Sequence, residues 1–219
     1  MSQPPDNREP ISEMTTGRLS VYLRCLTFLE EAGQETVSSQ ELAERFHLNS
    51  AQIRKDLACF GEFGTRGVGY NVTRLKEQLV HTLGIDRKRN VLIVGAGNLG
   101  MALADYGGFN HAGFEIVALV DVDAEKVGRA SRSGIPVLSY ARIGEIVREN
   151  AVEIGVIAVT PESAQEVHDA LVVAGVLAVL NFAPVQIRTQ QRVKVKTVDL
   201  RINLESLSFF LKNIEDGTI

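Results

Sequence analysis

The chain has 219 residues, 45% of them hydrophobic, a formal net charge of −4 and two cysteines. That is enough apolar material for one large or two modest cores, while Cys25 and Cys59 are too few and too far apart for a disulfide framework or a paired-cysteine metal site. Both read as buried thiols in apolar helical patterns. No run reaches the roughly 18 to 20 apolar residues of a bilayer span, and the polar start MSQPPDNREP lacks the apolar core of a signal peptide. A cytoplasmic protein with no membrane partner and no metal is expected.

After a tail expected to be disordered to about residue 12, Leu19, Tyr22, Leu23, Leu26 and Leu29 recur at helical spacing up to Gly33. Ser38 with Glu41 has the form of a capping box ahead of Leu42, Ala43 and Phe46, and Asn49 with Gln52 repeats the N-cap pattern before Ile53, Leu57 and Phe60. Helix, short turn, helix is the helix-turn-helix arrangement. At about 100° per residue, Ile53, Leu57 and Phe60 share an inward arc of the third helix. Ala51, Lys55 and Ala58 point away, flanked by Gln52 and Arg54. Small residues let such a helix approach a groove floor, and Arg54 and Lys55 sit where recognition helices meet base edges.

The acidic total does not oppose this reading, because phosphate neutralisation depends on the docked face alone. From Arg45 to Arg89, nine basic residues stand against four acidic ones. The next segment, GEFGTRGVGY, carries Gly61, Gly64, Gly67 and Gly69 around Arg66, which suits a hairpin wing that lays Arg66 along or into a minor groove. The DNA-facing set is thus Ser50, Gln52, Arg54 and Lys55 on the helix with Arg66 and Tyr70 on the wing. A fourth helix is expected from Thr73, as N-cap, through Leu75, Leu79 and Leu83 to Gly84.

IDRKRN then switches the pattern from helical spacing to continuous apolar strands; Arg87, Lys88 and Arg89 read as phosphate contacts or as a solvated linker. Strands are expected at 91–94, 114–120, 136–138, 154–159, 176–180 and 193–198, separated by helix-length segments, which implies a parallel sheet with helices on both faces. The fold class is α/β. A winged-helix domain over 1–84 precedes a Rossmann-like domain over 85–198 and a C-terminal helix over 199–219.

VLIVGAGNLG places a glycine motif directly after an apolar strand. Gly95 makes the tight turn, Gly97 removes a side chain where a pyrophosphate approaches the backbone, and Gly100 lets the next helix pack on the strand. Ala96, Asn98 and Leu99 complete the loop, and the helix beginning near Asn98 offers amides to the pyrophosphate. Asp121 ends the second strand, where a carboxylate accepts from both ribose hydroxyls and repels a 2′-phosphate; NAD(H) is favoured over NADP(H). Lys126 and Arg129 leave some room for a phosphate, though neither follows Asp121 directly. Thr160, Pro161 and Asn181, in the loops after later strands, are expected to finish the pocket.

Hydride-transfer enzymes need a proton donor or acceptor beside the nicotinamide, commonly His with an acid or Tyr with Lys four residues on. Tyr22, Tyr70, Tyr106 and Tyr140 all lack that lysine. His111 reads as structural and His168, in PESAQEVHDA, as a solvated residue on a surface helix. No catalytic residue is assigned, and the dinucleotide is read as a ligand and not a reactant. The rivals are an oxidoreductase with an appended DNA-binding domain and a nucleotide- or CoA-binding regulatory module.

Taken together, RKDL, GEFGTRGVGY, VGAGNLG, VDVD and VDLRINLESLSFFL resemble the redox-sensing transcriptional repressor Rex family, over nearly the whole chain after about residue 14. The resemblance implies a homodimer on palindromic operator DNA of genes for NADH oxidation and fermentation, released when NADH binds in competition with NAD⁺. It also implies a state-dependent contact among Tyr106, Arg18 and Asp199, with Tyr106 near the cofactor, and a C-terminal helix exchanged between subunits. Leu200 stands where some members carry an aromatic beside the nicotinamide. The helix itself agrees: Leu204, Leu207, Leu211 and Ile214 form a stripe and Phe209 and Phe210 add apolar surface off it, so more than one surface must cover it.

Overall fold

The computed structural model describes residues 12–61, 63–65, 68–189 and 192–218. The expected N-terminal tail and the wing's Arg66 therefore lie outside the described residues, as does Gly67. The chain divides after Arg87 into two compact units.

The first unit runs α1 (Glu13–Glu31), β1 (Thr36–Val37), α2 (Ser39–Phe46), α3 (Ser50–Ala58), β2 (Gly64–Thr65), β3 (Gly69–Asn71) and α4 (Val72–Thr82). The helix starts follow the caps. Ser38 and Glu41 make both bonds of the capping box, at 3.0 and 2.7 Å, and the Asn49 side chain accepts from the Gln52 amide at 2.9 Å. The fourth helix begins earlier than expected: Asn71, not Thr73, is its N-cap, accepting from the Arg74 amide at 2.9 Å. The last residue of β3 thus doubles as the cap. The three strands pair antiparallel in the order β1-β3-β2. Pairing this close requires Gly69, whose φ is +97° and whose missing Cβ would lie 2.6 Å from the Val37 carbonyl oxygen. Helix-turn-helix followed by a paired hairpin is a winged helix.

Leu19, Leu26, Leu29, Leu42, Ile53, Leu57, Leu75 and Leu79 form its core, each burial worth about 1.5–3 kcal/mol. One charge lies among them. Asp56 of α3 is 2% exposed, and its carboxylate accepts from Arg18 Nε at 2.6 Å, Arg18 Nη2 at 2.7 Å, Tyr22 Oη at 2.8 Å and Gln52 Nε2 at 2.8 Å. Burial pushes its pKa up, but the bonds from Arg18, Gln52 and Tyr22 outweigh that and hold it below the usual aspartate range.

The second unit contains β4 (Arg89–Val94), α5 (Asn98–Ala104), α6 (Gly108–His111), β5 (Phe114–Asp121), β6 (Val137–Ser139), α7 (Ile143–Glu149), β7 (Ile154–Ile157), α8 (Pro161–Val173), β8 (Ala178–Asn181), β9 (Lys194–Thr197) and α9 (Leu200–Glu215). All six strands are parallel, in the order β6-β5-β4-β7-β8-β9. The chain enters at the centre, winds outward to β6 and returns beside β4, so the cleft opens at the carboxyl ends of β4 and β7. Alternation along β4 feeds two cores: Leu92 and Val94 pack with Ile146, Val167 and Leu171, while Val91 and Ile93 pack with Ala104, Leu103 and Phe109. No described helix is long and apolar enough to cross a membrane.

His168 and Cys59 depart from the side-chain expectations. His168 is 2% exposed, because α8 turns Ala164, Val167, His168 and Leu171 inward; its ring nitrogens bond Asp169 Oδ1 at 2.9 Å and Thr189 Oγ1 at 3.0 Å. Cys25 is buried as expected, but Cys59 is exposed: it closes α3 off the inward arc, with Sγ on the Lys55 carbonyl at 3.4 Å. Lys88 and Arg89, left open between phosphate contacts and linker, pair with Glu115 at 2.9 Å and Glu153 at 2.8 Å.

Replacing Asp56 by Asn leaves the Arg18 guanidinium without its counter-charge. Arg18 is about one-third exposed, so the expected cost is about 2 kcal/mol, below that of a fully buried pair, read as a lower midpoint in urea unfolding. Because the folded pKa of Asp56 is depressed, its contribution is complete above the ordinary aspartate range and is lost as the pH falls through the lowered value. The acid-side loss of stability should accordingly shrink in the Asn variant.

Candidate functional site

Two sites stand out, one in each unit. On α3, Ala51, Arg54, Lys55 and Ala58 are exposed, opposite the buried Ile53, Asp56 and Leu57. Asp56 is turned inward against Arg18, so the outer face keeps its basic character. Arg54 is not extended: its Nη1 donates to Ser39 Oγ at 3.0 Å, which binds the start of α2 to α3. Ser50 and Gln52 are half-buried in the first turn. The Gln52 amide is oriented, because a carboxylate only accepts; Nε2 must face Asp56. Tyr70 is half-buried on β3, its ring against Gly64, where a Cβ would lie 2.9 Å away; burial raises its pKa. It anchors the hairpin as much as it faces outward. A groove lined by Ser39, Arg54, Ala58, Gly64, Val68 and Tyr70 runs between the helix and the hairpin.

In the second unit, the loop from Gly95 to Gly100 joins β4 to α5. Each glycine has a different reason. Gly95 has φ +105° and a Cβ there would lie 2.4 Å from the Ala158 carbonyl; a Cβ on Gly100 would lie 1.8 Å from the Gly95 carbonyl. Those two are dictated by packing. Gly97 has φ −81° and open space where its Cβ would project, so neither backbone nor neighbours demand a glycine. The open cradle at the N-terminus of α5 is where a pyrophosphate fits.

Asp121 is 9% exposed at the end of β5. Its Oδ2 accepts from the Ala96 amide at 2.7 Å and Lys126 Nζ at 3.1 Å, and its Oδ1 from the Asp123 amide at 2.9 Å. Burial raises its pKa, but these donors more than offset it and keep it ionised below the usual range. The carboxylate is thus tied to the glycine loop itself. Leu99, 41% exposed, and Val122, 82% exposed, add apolar surface, Leu99 in the loop and Val122 beside Asp121. Thr160 is the N-cap residue and Pro161 the first residue of α8, in the loop after β7.

Asn181 does not present its side chain to the cleft. It is fully buried; Nδ2 donates to the Ala183 and Val185 carbonyls at 2.9 and 3.0 Å and to Thr197 Oγ1 at 3.3 Å, and Oδ1 accepts from the Ala183 amide at 2.9 Å. Its side chain braces the loop at 183–185. Tyr106, 60% exposed, follows α5 and stacks edge-on against Phe109 at 5.0 Å. Asp199 caps α9 through the Arg201 amide at 2.9 Å. Arg18 is held by Asp56 and by Thr15 Oγ1, a commitment the sequence reading missed. It also missed Asp56, which lies next to the Ile53, Leu57 and Phe60 arc and so carried a signal of burial.

A winged helix with an exposed basic recognition face, on the same chain as a doubly wound domain with a dinucleotide-type loop, defines a ligand-responsive DNA-binding protein. Comparison narrows this. Residues 10–58 match the family described as "Putative DNA-binding protein N-terminus", and residues 86–185 match "CoA binding domain". The redox-sensing transcriptional repressor Rex of Carboxydothermus hydrogenoformans is 49% identical over 202 residues, spanning 92% of this chain and 97% of that one. The Rex of Streptomyces coelicolor is 46% identical over 94% of this chain and 80% of its own. Among solved structures, RSP in complex with NAD⁺ and operator DNA is similar with a TM-score of 0.89 at 34% identity, covering 96% of each chain. RSP in complex with NADH is similar at 0.84 and 32% identity, covering 96% of this chain and 98% of that one. The chain belongs to the redox-sensing transcriptional repressor Rex family.

The different reasons for the glycines separate binding from folding. Gly97→Ala should leave the unfolding midpoint unchanged while weakening NADH binding by at least about tenfold in fluorescence titration. Gly100→Ala should lower the midpoint by about 1–3 kcal/mol equivalent, as an overpacked contact does. For the α3 face, Lys55→Ala should lower operator-over-random selectivity by about 1–3 kcal/mol in anisotropy titrations.

Proposed function

We propose that this protein is a transcriptional repressor that reports the NADH to NAD⁺ ratio to DNA. It binds palindromic operator DNA as a homodimer in the cytoplasm and leaves it when NADH displaces NAD⁺. The observation that carries the reading is the open cradle at Gly97 beside the ionised Asp121, on a chain whose N-terminal unit exposes Lys55 and Arg54 from a recognition helix. The named relatives are repressors and not enzymes, and RSP has been crystallised with operator DNA and with each redox form of the cofactor. The dinucleotide acts as a regulatory ligand: bound, it supplies a redox-dependent shape and charge at the nicotinamide. Two ligands of one pocket switch a protein only through different affinities for its two arrangements, so NADH must prefer the DNA-free one.

The dimer reading rests on α9. Leu200, Leu204, Leu207, Leu211 and Ile214 follow one face and Ile202 and Phe209 another, and all are roughly half or more exposed. Two apolar faces need two covering surfaces, and exchange of this helix with a second copy supplies them. An apolar cavity of about 210 Å³ lined by Leu103, Phe109, Phe114, Ile154, Leu180 and Phe182 offers a receiving surface on the sheet. Tyr106, Asp199 and Arg18 are assigned to the switch; Arg18 holds Asp56 through Nε and Nη2, so the switch and the brace between α1 and α3 draw on one guanidinium. The domain limits we use are 1–84, 85–198 and 199–219.

The matched CoA-binding description favours a second reading, a CoA-responsive module. Asp121 opposes it, since the adenosine of CoA carries a ribose phosphate where the carboxylate suits a diol. An operator titration against the NADH to NAD⁺ ratio decides: operator release at a low ratio, with CoA inert, is the expected outcome. Equal operator affinity with NADH, NAD⁺ and no ligand would sink the sensor reading, and release by CoA alone would favour its rival.

A further inference from the structure

The donors around Asp121 set a limit on what the ribose end of the cleft can do. A carboxylate offers about four acceptor sites, two on each oxygen. Oδ2 already takes the Ala96 amide at 2.7 Å and Lys126 Nζ at 3.1 Å; Oδ1 takes the Asp123 amide at 2.9 Å. One site is left, and an adenosine diol asks for two. The two amides belong to the backbone of the loop and the turn and cannot withdraw without rebuilding either. Lys126 can: its side chain is 36% exposed on the turn after β5, and Asp123 Oδ2 already stands 3.7 Å from its ammonium as an alternative partner.

We propose that Lys126 is a specificity-determining residue at the ribose end, competing with the adenosine diol for Asp121 and supplying the cation that a 2′-phosphate would meet. This rests on the reading of the cleft as a dinucleotide site. A diol must displace the ammonium toward Asp123 before Asp121 accepts both hydroxyls, which costs affinity for NADH. Once displaced, the ammonium stays at the edge of the ribose, where it partly offsets the repulsion that Asp121 and Asp123 exert on a phosphorylated ribose. The site therefore prefers NADH less sharply than Asp121 alone would dictate. A lysine suits this task because it is a compact charge on a flexible stem, able to serve either carboxylate without a fixed geometry.

The test is titration of the full-length protein with NADH and with NADPH, followed by nicotinamide fluorescence at low ionic strength, for the parent, Lys126→Met and Lys126→Arg. Methionine keeps the length of the stem and removes the charge, and the site's exposure makes a folding defect unexpected. Lys126→Met should tighten NADH about threefold and weaken NADPH about tenfold, so that the preference for NADH rises about thirtyfold, of the size expected for a partly screened charge. Lys126→Arg should return NADPH to near the parent value. The two affinities moving by the same factor in Lys126→Met, or neither moving by as much as twofold, would overturn the proposal while leaving the dinucleotide reading intact. Failure of the parent to bind either nucleotide would overturn both.

Discussion

A carboxylate removed from water inside a small helical domain persists only with its charge balanced and its lone pairs occupied. Asp56 meets both conditions through donors from two helices, Arg18 and Tyr22 on α1 and Gln52 on α3 itself. The packing of Ile53 and Leu57 would hold α3 against the core in several nearly equivalent rotations, since apolar contacts are not directional. A bidentate ion pair is directional. It fixes the turn of the helix about its own axis and hence which residues face outward. It also removes the one acidic group of α3 from the outer face, leaving Arg54 and Lys55 in command of the local field.

The second unit depends on the same kind of constraint in a different place. Its glycine loop approaches the sheet so closely that two of its three motif glycines have no room for a methyl group, and the Ala96 amide inside that loop donates to Asp121. Loop and acid are one construction. The cleft keeps its shape because backbone donors hold the carboxylate, while the adjustable partner is a long side chain at the rim.

The parts of this molecule written in backbone chemistry were legible in its sequence. Ser38, Glu41, Asn49 and the glycine motif each leave a short, local signature, and all six strands and their parallel arrangement follow from apolar runs and helix-length spacing. What was obscured depends on partners distant along the chain. Asp56 meets Arg18 across 38 positions, and the buried ring of His168 is satisfied by Thr189, 21 positions on. His168 reads as a polar residue on a mixed helix until that partner is known. Thr73 lost its capping role to Asn71 because strand and helix abut without a linker, which spacing alone does not reveal. Cys59 was misjudged by treating the end of a helix as its middle.

Asn181 has a mechanical meaning beyond its hydrogen-bond count. Its amide clasps the loop at 183–185 and reaches Thr197 on the neighbouring strand, while its carbonyl accepts from the Val198 amide at 2.8 Å. Val198 is followed by Asp199, the cap of α9. The floor beside the cleft and the root of the terminal helix are therefore riveted at a single buried residue. The 183–185 loop and the chain entering the sixteen-residue helix thus share one anchor, with Asp199 alone standing between that anchor and the first turn of α9.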